Sequence, residues 1–169
     1  DDINKSSVGF DVPYLLELTP SVVATSEGGT GIGNTAFRIR GSDMSRINVT
    51  VNGIPLNDAE SQGVYWVDLP DFTSSVDNVQ VQRGVGSSTN GAGAFGASIN
   101  FQTTTLSTEP FTNVEYQAGS FNTNRTSVRI GTGLIDKQFS FEGRYTQLKS
   151  DGYIDRGTSD NKSMFITGA

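Results

Sequence analysis

Few residues in this chain could do chemistry. It has no histidine and no cysteine, so the usual general base, the usual metal ligand and any thiolate nucleophile are missing. The carboxylates Asp58, Glu60, Asp68 and Asp71 lie close together in sequence. They lack the dense alternating spacing of an EF-hand calcium loop, and we interpret them as turn residues and caps.

A second candidate for a functional site is the glycine stretch GAGAFG at 91–96, which has the residue spacing of a dinucleotide-binding loop. Such a loop needs a strand before it and a helix after it, whereas here polar SSTN precedes and the strand-like ASINF follows. A flexible linker is also disfavoured, because Phe95 lies at its centre. The stretch instead predicts backbone that approaches another surface closely.

The net charge of −6 argues against nucleic acid as a partner, since no basic stripe is available to meet phosphates. No apolar run is long enough for a transmembrane helix. The last residues, KSMFITGA, stop inside a strand-like pattern without a turn or cap. We therefore expect a piece of a longer protein.

The elements that position these residues are predicted to be mainly strands. One helix is expected within Phe10–Pro20, capped by Asp11, with an apolar side of Leu15, Leu16 and Leu18. Asn52-Gly53 predicts a two-residue hairpin turn. Apolar and polar residues alternate with a period of two, as in half-buried strands, in AFRIRG, INVTVNG, VDNVQVQRG and ASINFQT.

The polar side of these four segments consists mostly of amides and hydroxyls, and no lysine occurs between Lys5 and Lys137. Surfaces in bulk water normally mix lysine with glutamate. The pattern favours a wet interface with a facing wall. A secreted bacterial β-protein that is poor in lysine is the alternative.

After Thr103 the alternating runs become longer: FTNVEYQAG, RTSVRIG, KQFSFEGRYTQL and KSMFITGA. Val114, Tyr116 and Ala118 fall on one side of the first run. Segments of about ten residues that are apolar outside and polar inside are typical of transmembrane β-barrels. Soluble antiparallel sheets alternate in the same way, so the signal comes from several such runs in a row.

Two long segments, FRIRGSDMSRINVTVNGIPLND and DLPDFTSSVDNVQVQRGVGSSTNGAGAFGASINFQT, carry the IRG, Asn-Gly turn, PLND and VQRG motifs in order. In this the chain resembles the plug domain of TonB-dependent outer-membrane receptors over about Asp11 to Thr105. Two departures are Gln80, where the family has an acidic residue, and the missing tyrosine after VQRG. The loop is closer to the siderophore, haem and cobalamin type than to carbohydrate importers.

This resemblance implies an α+β plug domain over residues 1–105, with a small mixed sheet, short helices and long loops. Residues 106–169 would form the first antiparallel strands of a truncated transmembrane barrel. The protein would be a transporter in the outer membrane of a Gram-negative bacterium and not an enzyme, with no cofactor and no metal. Its partners would be its own barrel, a small-molecule nutrient, and a TonB protein that binds upstream of residue 1.

The resemblance also implies site residues. The apical ligand-binding loops would be Asp58–Trp66, with Ser61, Gln62, Tyr65 and Trp66, and 87–93, with Ser87, Ser88, Thr89 and Asn90. For Trp66, a place in the core is a competing expectation. Arg40 and Arg83 would form ion pairs with carboxylates on the barrel wall.

Two other functions remain open from the residues alone. One is a secreted β-rich module that binds glycans or serves in adhesion through its Gly/Ser/Asn loops. The other is a carboxylate-based glycosidase, whose two acids would lie about 5–9.5 Å apart.

Overall fold

The computed structural model describes residues 9–85, 94–103 and 105–169. It is built mainly from ten strands with few helical turns. The strands are β1 (Val22–Ser26), β2 (Thr35–Ile39), β3 (Ile47–Val51), β4 (Ile54–Pro55), β5 (Val76–Arg83), β6 (Ala97–Thr103), β7 (Pro110–Ala118), β8 (Asn124–Thr132), β9 (Phe141–Ser150) and β10 (Ser159–Gly168). The helical elements are α1 (Val12–Leu15) and the 3₁₀ turns Met44–Arg46, Trp66–Asp68 and Phe72–Ser75.

The predicted helix within Phe10–Pro20 is shorter than expected. Only Val12–Leu15 is helical, and the Asp11 side chain makes no capping hydrogen bond, because its carboxylate is engaged elsewhere. Val12 and Leu16 are buried, whereas Leu18 is exposed. Of the predicted apolar side, Leu16 is therefore buried as expected, whereas Leu15 is only half-buried and Leu18 is not buried.

Two sheets form the first part of the chain. Strands β1 and β2 make an antiparallel hairpin, and a second sheet has the order β4-β3-β6-β5, with β3 and β6 parallel. The four predicted strands are confirmed, and Asn52 and Gly53 both have positive φ in the turn before β4. Strand β1 was not predicted.

The core lies between these two sheets and is centred on aromatic rings. Trp66 packs against Phe37 and Phe101, with ring centroids 5.8 Å and 6.2 Å away. Phe72 meets Phe101 edge to face at 5.4 Å. Such pairs add to the burial energy of large rings. Phe37 and Phe101 are the inward residues of the alternation in β2 and β6, as predicted.

Strands β7 to β10 form a separate antiparallel meander, in chain order, which we call the wall sheet. Loops 119–123 and 151–158 lie at the same end of it, where the Asp151 amide donates to the Phe121 carbonyl at 2.9 Å. The turn 133–140 lies at the opposite end. The four described strands do not close into a barrel.

The two faces of the wall sheet differ in chemistry. Val114, Tyr116, Ile130 and Ile166 are exposed on the outer face. The inner face is polar, turns towards the first part of the chain and carries Arg125, Ser127, Glu142, Arg144 and Thr146, all buried. Within the described ranges, no helix is both long enough and apolar enough to span a membrane.

Candidate functional site: a buried ionic joint and two clefts

The carboxylate of Asp71 joins the first part of the chain to the wall sheet. Arg125 of β8 binds it with two groups: Nε donates to Oδ1 at 2.9 Å and Nη2 to Oδ2 at 3.0 Å. Arg144 of β9 donates to Oδ2 through Nη1. Asp71 is only 1% exposed, so both ion pairs lie out of water. We call these three residues the ionic joint.

The charges around the ionic joint balance. Arg125 also pairs with Glu115 of β7 at 3.2 Å, and Arg129 pairs with Glu142 on the same face. With Asp71, the cluster has three guanidinium groups and three carboxylates. Without the Asp71 carboxylate, the inner face of the wall sheet would keep an excess positive charge.

The local backbone explains how Asp71 reaches the wall. It follows Pro70, has φ of 54° and immediately precedes the 3₁₀ turn Phe72–Ser75. Ser74 in that turn donates its hydroxyl to Asp71 Oδ1 at 2.8 Å and accepts from Arg125 Nη2 at 2.8 Å. The interpretation of Asp71 as a turn residue or cap is therefore incomplete. The turn also places its buried carboxylate within hydrogen-bonding distance of Arg125.

Asp11 is a second buried carboxyl group, 2% exposed. Thr35 donates its hydroxyl to Asp11 Oδ2 at 2.8 Å, and the Asp11 amide donates to the Gly31 carbonyl at 2.9 Å. The pKa of Asp11 is raised to about 7, mainly by burial and to a smaller extent by the nearby Asp71 charge, although the Thr35 hydrogen bond opposes the shift. Asp11 thus ties α1 to the β1–β2 hairpin.

Two adjoining clefts open beside that hairpin. The first has a volume of 380 Å³ and lies between the hairpin, Met44 and residues 64–67. The second has a volume of 460 Å³ and lies between the hairpin and residues 156–161 at the start of β10. Glu27, Asn34 and Val67 line both clefts. The clefts therefore bring the hairpin, the loop after β4 and the end of the wall sheet around one space.

Of the predicted site residues in the loop after β4, Tyr65 and Trp66 line the first cleft, whereas Ser61 and Gln62 do not. Asp58 caps its own loop: it accepts from the backbone amide of Ser61 at 2.7 Å and from the Ser61 hydroxyl at 2.8 Å. The backbone hydrogen bond from Ser61 is the main reason that the pKa of Asp58 is lowered. Gln62 is exposed with φ of 57°, at the tip of this loop.

Tyr65 and Trp66 both line the first cleft but differ in burial. Tyr65 is 55% exposed, whereas Trp66 is 1% exposed and belongs to the aromatic core. The indole N–H of Trp66 has no hydrogen-bond acceptor within the described ranges. Buried indole N–H groups usually find a partner; this one lies inside the aromatic core and is not exposed to the cleft.

The other predicted site residues lie elsewhere. Ser87, Ser88, Thr89 and Asn90 fall outside the described residues. Arg83 donates from Nη1 to the Pro20 carbonyl at 3.1 Å, and Arg40 is exposed at a backbone φ of 52°. Neither arginine pairs with a carboxylate in the part of the chain that the structure describes, so their ion pairing with a barrel wall stays a prediction.

The comparisons with known proteins identify the family. The family model named TonB-dependent Receptor Plug Domain matches residues 1–98. The chain belongs to this family, whose members are outer-membrane receptors of Gram-negative bacteria. Its relatives are transporters and receptors, and none of these comparisons favours the glycan-binding alternative.

Among the relatives, the chain is similar to the vitamin B12 transporter BtuB of Vibrio cholerae serotype O1, with 29% identity over 126 residues. That match covers 75% of this chain and 20% of the relative, so the chain spans about a fifth of the length of the curated relative.

The fold is similar to that of solved receptors. The copper transporter OprC aligns with a TM-score of 0.71 at 18% identity, over 94% of this chain and 25% of that one. The siderophore receptor PirA from Acinetobacter baumannii aligns with a TM-score of 0.65 at 24% identity, over 89% of this chain and 24% of that one. At this identity the likeness shows the fold alone.

The ionic joint predicts a large loss of stability when its carboxylate is neutralised. We expect Asp71→Asn to lower the free energy of unfolding by roughly 3–5 kcal/mol, because it strands buried guanidinium charge. Urea unfolding in detergent micelles measures this. The control is Asp160→Asn, which breaks the Lys149–Asp160 pair on the surface and should change little. Equal effects of the two substitutions would contradict a buried joint.

Asp11 predicts a specific dependence of stability on pH. Since its pKa is raised to about 7 from 3.8, the folded chain holds this proton where the unfolded chain releases it. The contribution of Asp11 is complete below about pH 4 and is lost as the pH rises through 7. Unfolding curves should show wild type losing stability relative to Asp11→Asn across that window. A constant difference from pH 4 to 8 would refute the assignment.

Proposed function

We propose that this chain is the pore-occluding and ligand-sensing plug, together with the opening barrel strands, of a TonB-dependent transporter. The transporter would import a scarce nutrient such as a siderophore, haem or cobalamin across the outer membrane. Membership of the plug family supports the transporter class. The observation that carries the proposal furthest is the ionic joint, because a plug must be held within its wall by contacts that exclude water.

The faces of the wall sheet support its placement in a membrane. Tyr116 is 70% exposed and Ile166 is 68% exposed on the outer side, while Arg125, Glu142 and Arg144 turn inwards and are buried. Aromatic and aliphatic side chains that face hydrocarbon lose nothing by being uncovered, whereas the same surface in water favours aggregation. We propose that the outer face of β7 to β10 contacts lipid and that the barrel part begins after about residue 105.

The two clefts support a ligand site at the end of the wall sheet that holds loops 119–123 and 151–158. Ser61, Gln62, Tyr65 and Trp66 remain our candidates there, together with Ser87, Ser88, Thr89 and Asn90. Tyr65 offers rigid aromatic area with a polar tip, and Trp66 lines the same cleft from the core. Both parts of the chain line the second cleft, so a ligand there would touch plug and wall together.

Energy for transport would be supplied through the segment that precedes the plug. We propose that a TonB protein binds a segment upstream of residue 1 by strand addition and pulls on the plug. Arg40 and Arg83 would pair with carboxylates of the remaining barrel wall. These ion pairs and the ionic joint would then hold the plug in place against the pull until ligand binding weakens them.

The direct test is growth of a receptor-deleted strain on single sources of iron, haem or cobalamin. The complete receptor should restore growth on one of them, and only when TonB is present. In the same assay, Tyr65→Ala should raise the nutrient concentration needed for growth roughly tenfold, because ligand binding is weakened. The matched Tyr116→Ala on the outer face of β7 should leave that concentration unchanged. Growth that is independent of both receptor and TonB on every source would rule out the proposed function.

A further inference from the structure

One side chain ties the loop after β4 to strand β3. Asn57 lies two residues after β4 and is half-buried. Its Oδ1 accepts from the Val49 amide at 2.7 Å. Its Nδ2 donates to the Ile47 carbonyl at 2.9 Å and to the Gln62 carbonyl at 2.7 Å. The primary amide of Asn57 therefore joins β3 to the far end of the loop 58–63.

The Asn57 side chain continues the edge pairing that β4 begins. Strand β4 is only two residues long and pairs with the last two residues of β3. Further along the same edge, Asn57 binds the backbone of Ile47 and Val49, which are 0% and 2% exposed. Buried backbone groups without a partner are costly. An asparagine amide offers both an acceptor and two donors, so it satisfies this edge and keeps one donor for the loop.

The loop 58–63 has a backbone that needs such support. The Asp58 amide donates to the Gly63 carbonyl, and the Gln62 amide donates to the Asp58 carbonyl, both at 2.9 Å. Gln62 has φ of 57°, a conformation that residues other than glycine adopt at a cost. Backbone of this kind persists when its surroundings fix it. The hydrogen bond from Asn57 to the Gln62 carbonyl does so at the strained residue itself.

The end of this loop leads into one side of the first cleft. Residues 64–67 line that cleft together with Met44. Gly63 is buried, and a Cβ at this position would lie 3.9 Å from the Met44 side chain. Tyr65 follows two residues later and is 55% exposed. A shift of the loop 58–63 would therefore move Tyr65 within the cleft.

We propose that Asn57 is a positioning residue of the ligand site, because it fixes the loop 58–63 in the form that presents Ser61 and Gln62 and places Tyr65 in the first cleft. This inference rests on the proposed function, in which these residues contact the imported nutrient. A loop that is ordered before the ligand arrives spares the complex the entropy cost of ordering it. Asn57 acts through the loop and does not touch the ligand.

The substitution Asn57→Asp removes this action with the smallest change of shape. One carboxylate oxygen can still accept from the Val49 amide. The other faces the carbonyls of Ile47 and Gln62, to which an ionised carboxylate cannot donate. The loop 58–63 therefore loses its attachment to β3, while the side chain keeps its size.

The matched control is Asn52→Asp. Asn52 lies in the turn before β4, and its side chain binds Thr103 of β6 rather than the loop. A spin label on Ala59→Cys, which is exposed in the loop, reports loop order in the complete receptor with any other cysteine replaced by serine. We expect Asn57→Asp to raise the mobility of this label clearly and Asn52→Asp to leave it unchanged.

Uptake by cells gives a readout that a purely structural role would not move. The probes are cyanocobalamin, an uncharged iron(III) trihydroxamate and haemin, and kinetics are measured with the one that the wild-type receptor imports with TonB. Asn57→Asp should raise the half-saturating concentration roughly tenfold and keep the maximal rate within about twofold. A residue that only stabilises the fold would lower the maximal rate, because fewer receptors are intact, and would leave the half-saturating concentration unchanged.

Three results would overturn the inference: an unchanged half-saturating concentration, unchanged mobility of the label, or equal effects of Asn57→Asp and Asn52→Asp. A wild-type receptor that imports none of the probes with TonB would instead count against the proposed transporter function. In that case the mobility of the label still decides whether Asn57 orders the loop.

Discussion

A carboxylate that is 1% exposed must have its charge neutralised where it lies, and this constraint organises the whole chain. At Asp71 the first part of the chain forms ion pairs with the wall sheet, because Arg125 and Arg144 come from two neighbouring strands of that sheet. Such a joint contributes less to net stability than its short contacts suggest, because three groups lose their hydration. We infer that it contributes specificity instead, because displacing the first part of the chain from the wall sheet would leave buried charges unpaired.

The rest of the architecture follows from alternation. A period of two gives the first sheets one apolar face for the aromatic core and one polar face of amides and hydroxyls. The same period in β7 to β10 sends apolar residues outwards and sends Arg125, Arg129 and Arg144 inwards. The inward charges then require partners, which are Glu115 and Glu142 within the wall and Asp71 across the joint.

Sequence patterns predicted the strands β2, β3, β5 and β6, the Asn52-Gly53 turn and the alternation in the runs that form β7 to β10. They did not predict the pairing at Asp71, because an aspartate after Pro70 has the same local pattern whether it caps a turn or meets an arginine fifty-four residues later. The helix was overpredicted for a related reason. Asp11 is a good capping residue, but its carboxylate is drawn to Thr35 by a contact twenty-four residues away. Trp66 was predicted both as a ligand residue and as a core residue, and its ring lies in the core.

The most direct test of this account is the coupling energy between Asp71 and Arg144, measured by a double-mutant cycle on the complete receptor. If the ionic joint holds the plug in its place, the two single substitutions to Asn and Gln should be strongly non-additive. The coupling should reach roughly 2–3 kcal/mol, because the second substitution removes a charge that the first left stranded. Additive effects, with a coupling close to zero, would show that the two parts of the chain are held together by something other than this buried charge.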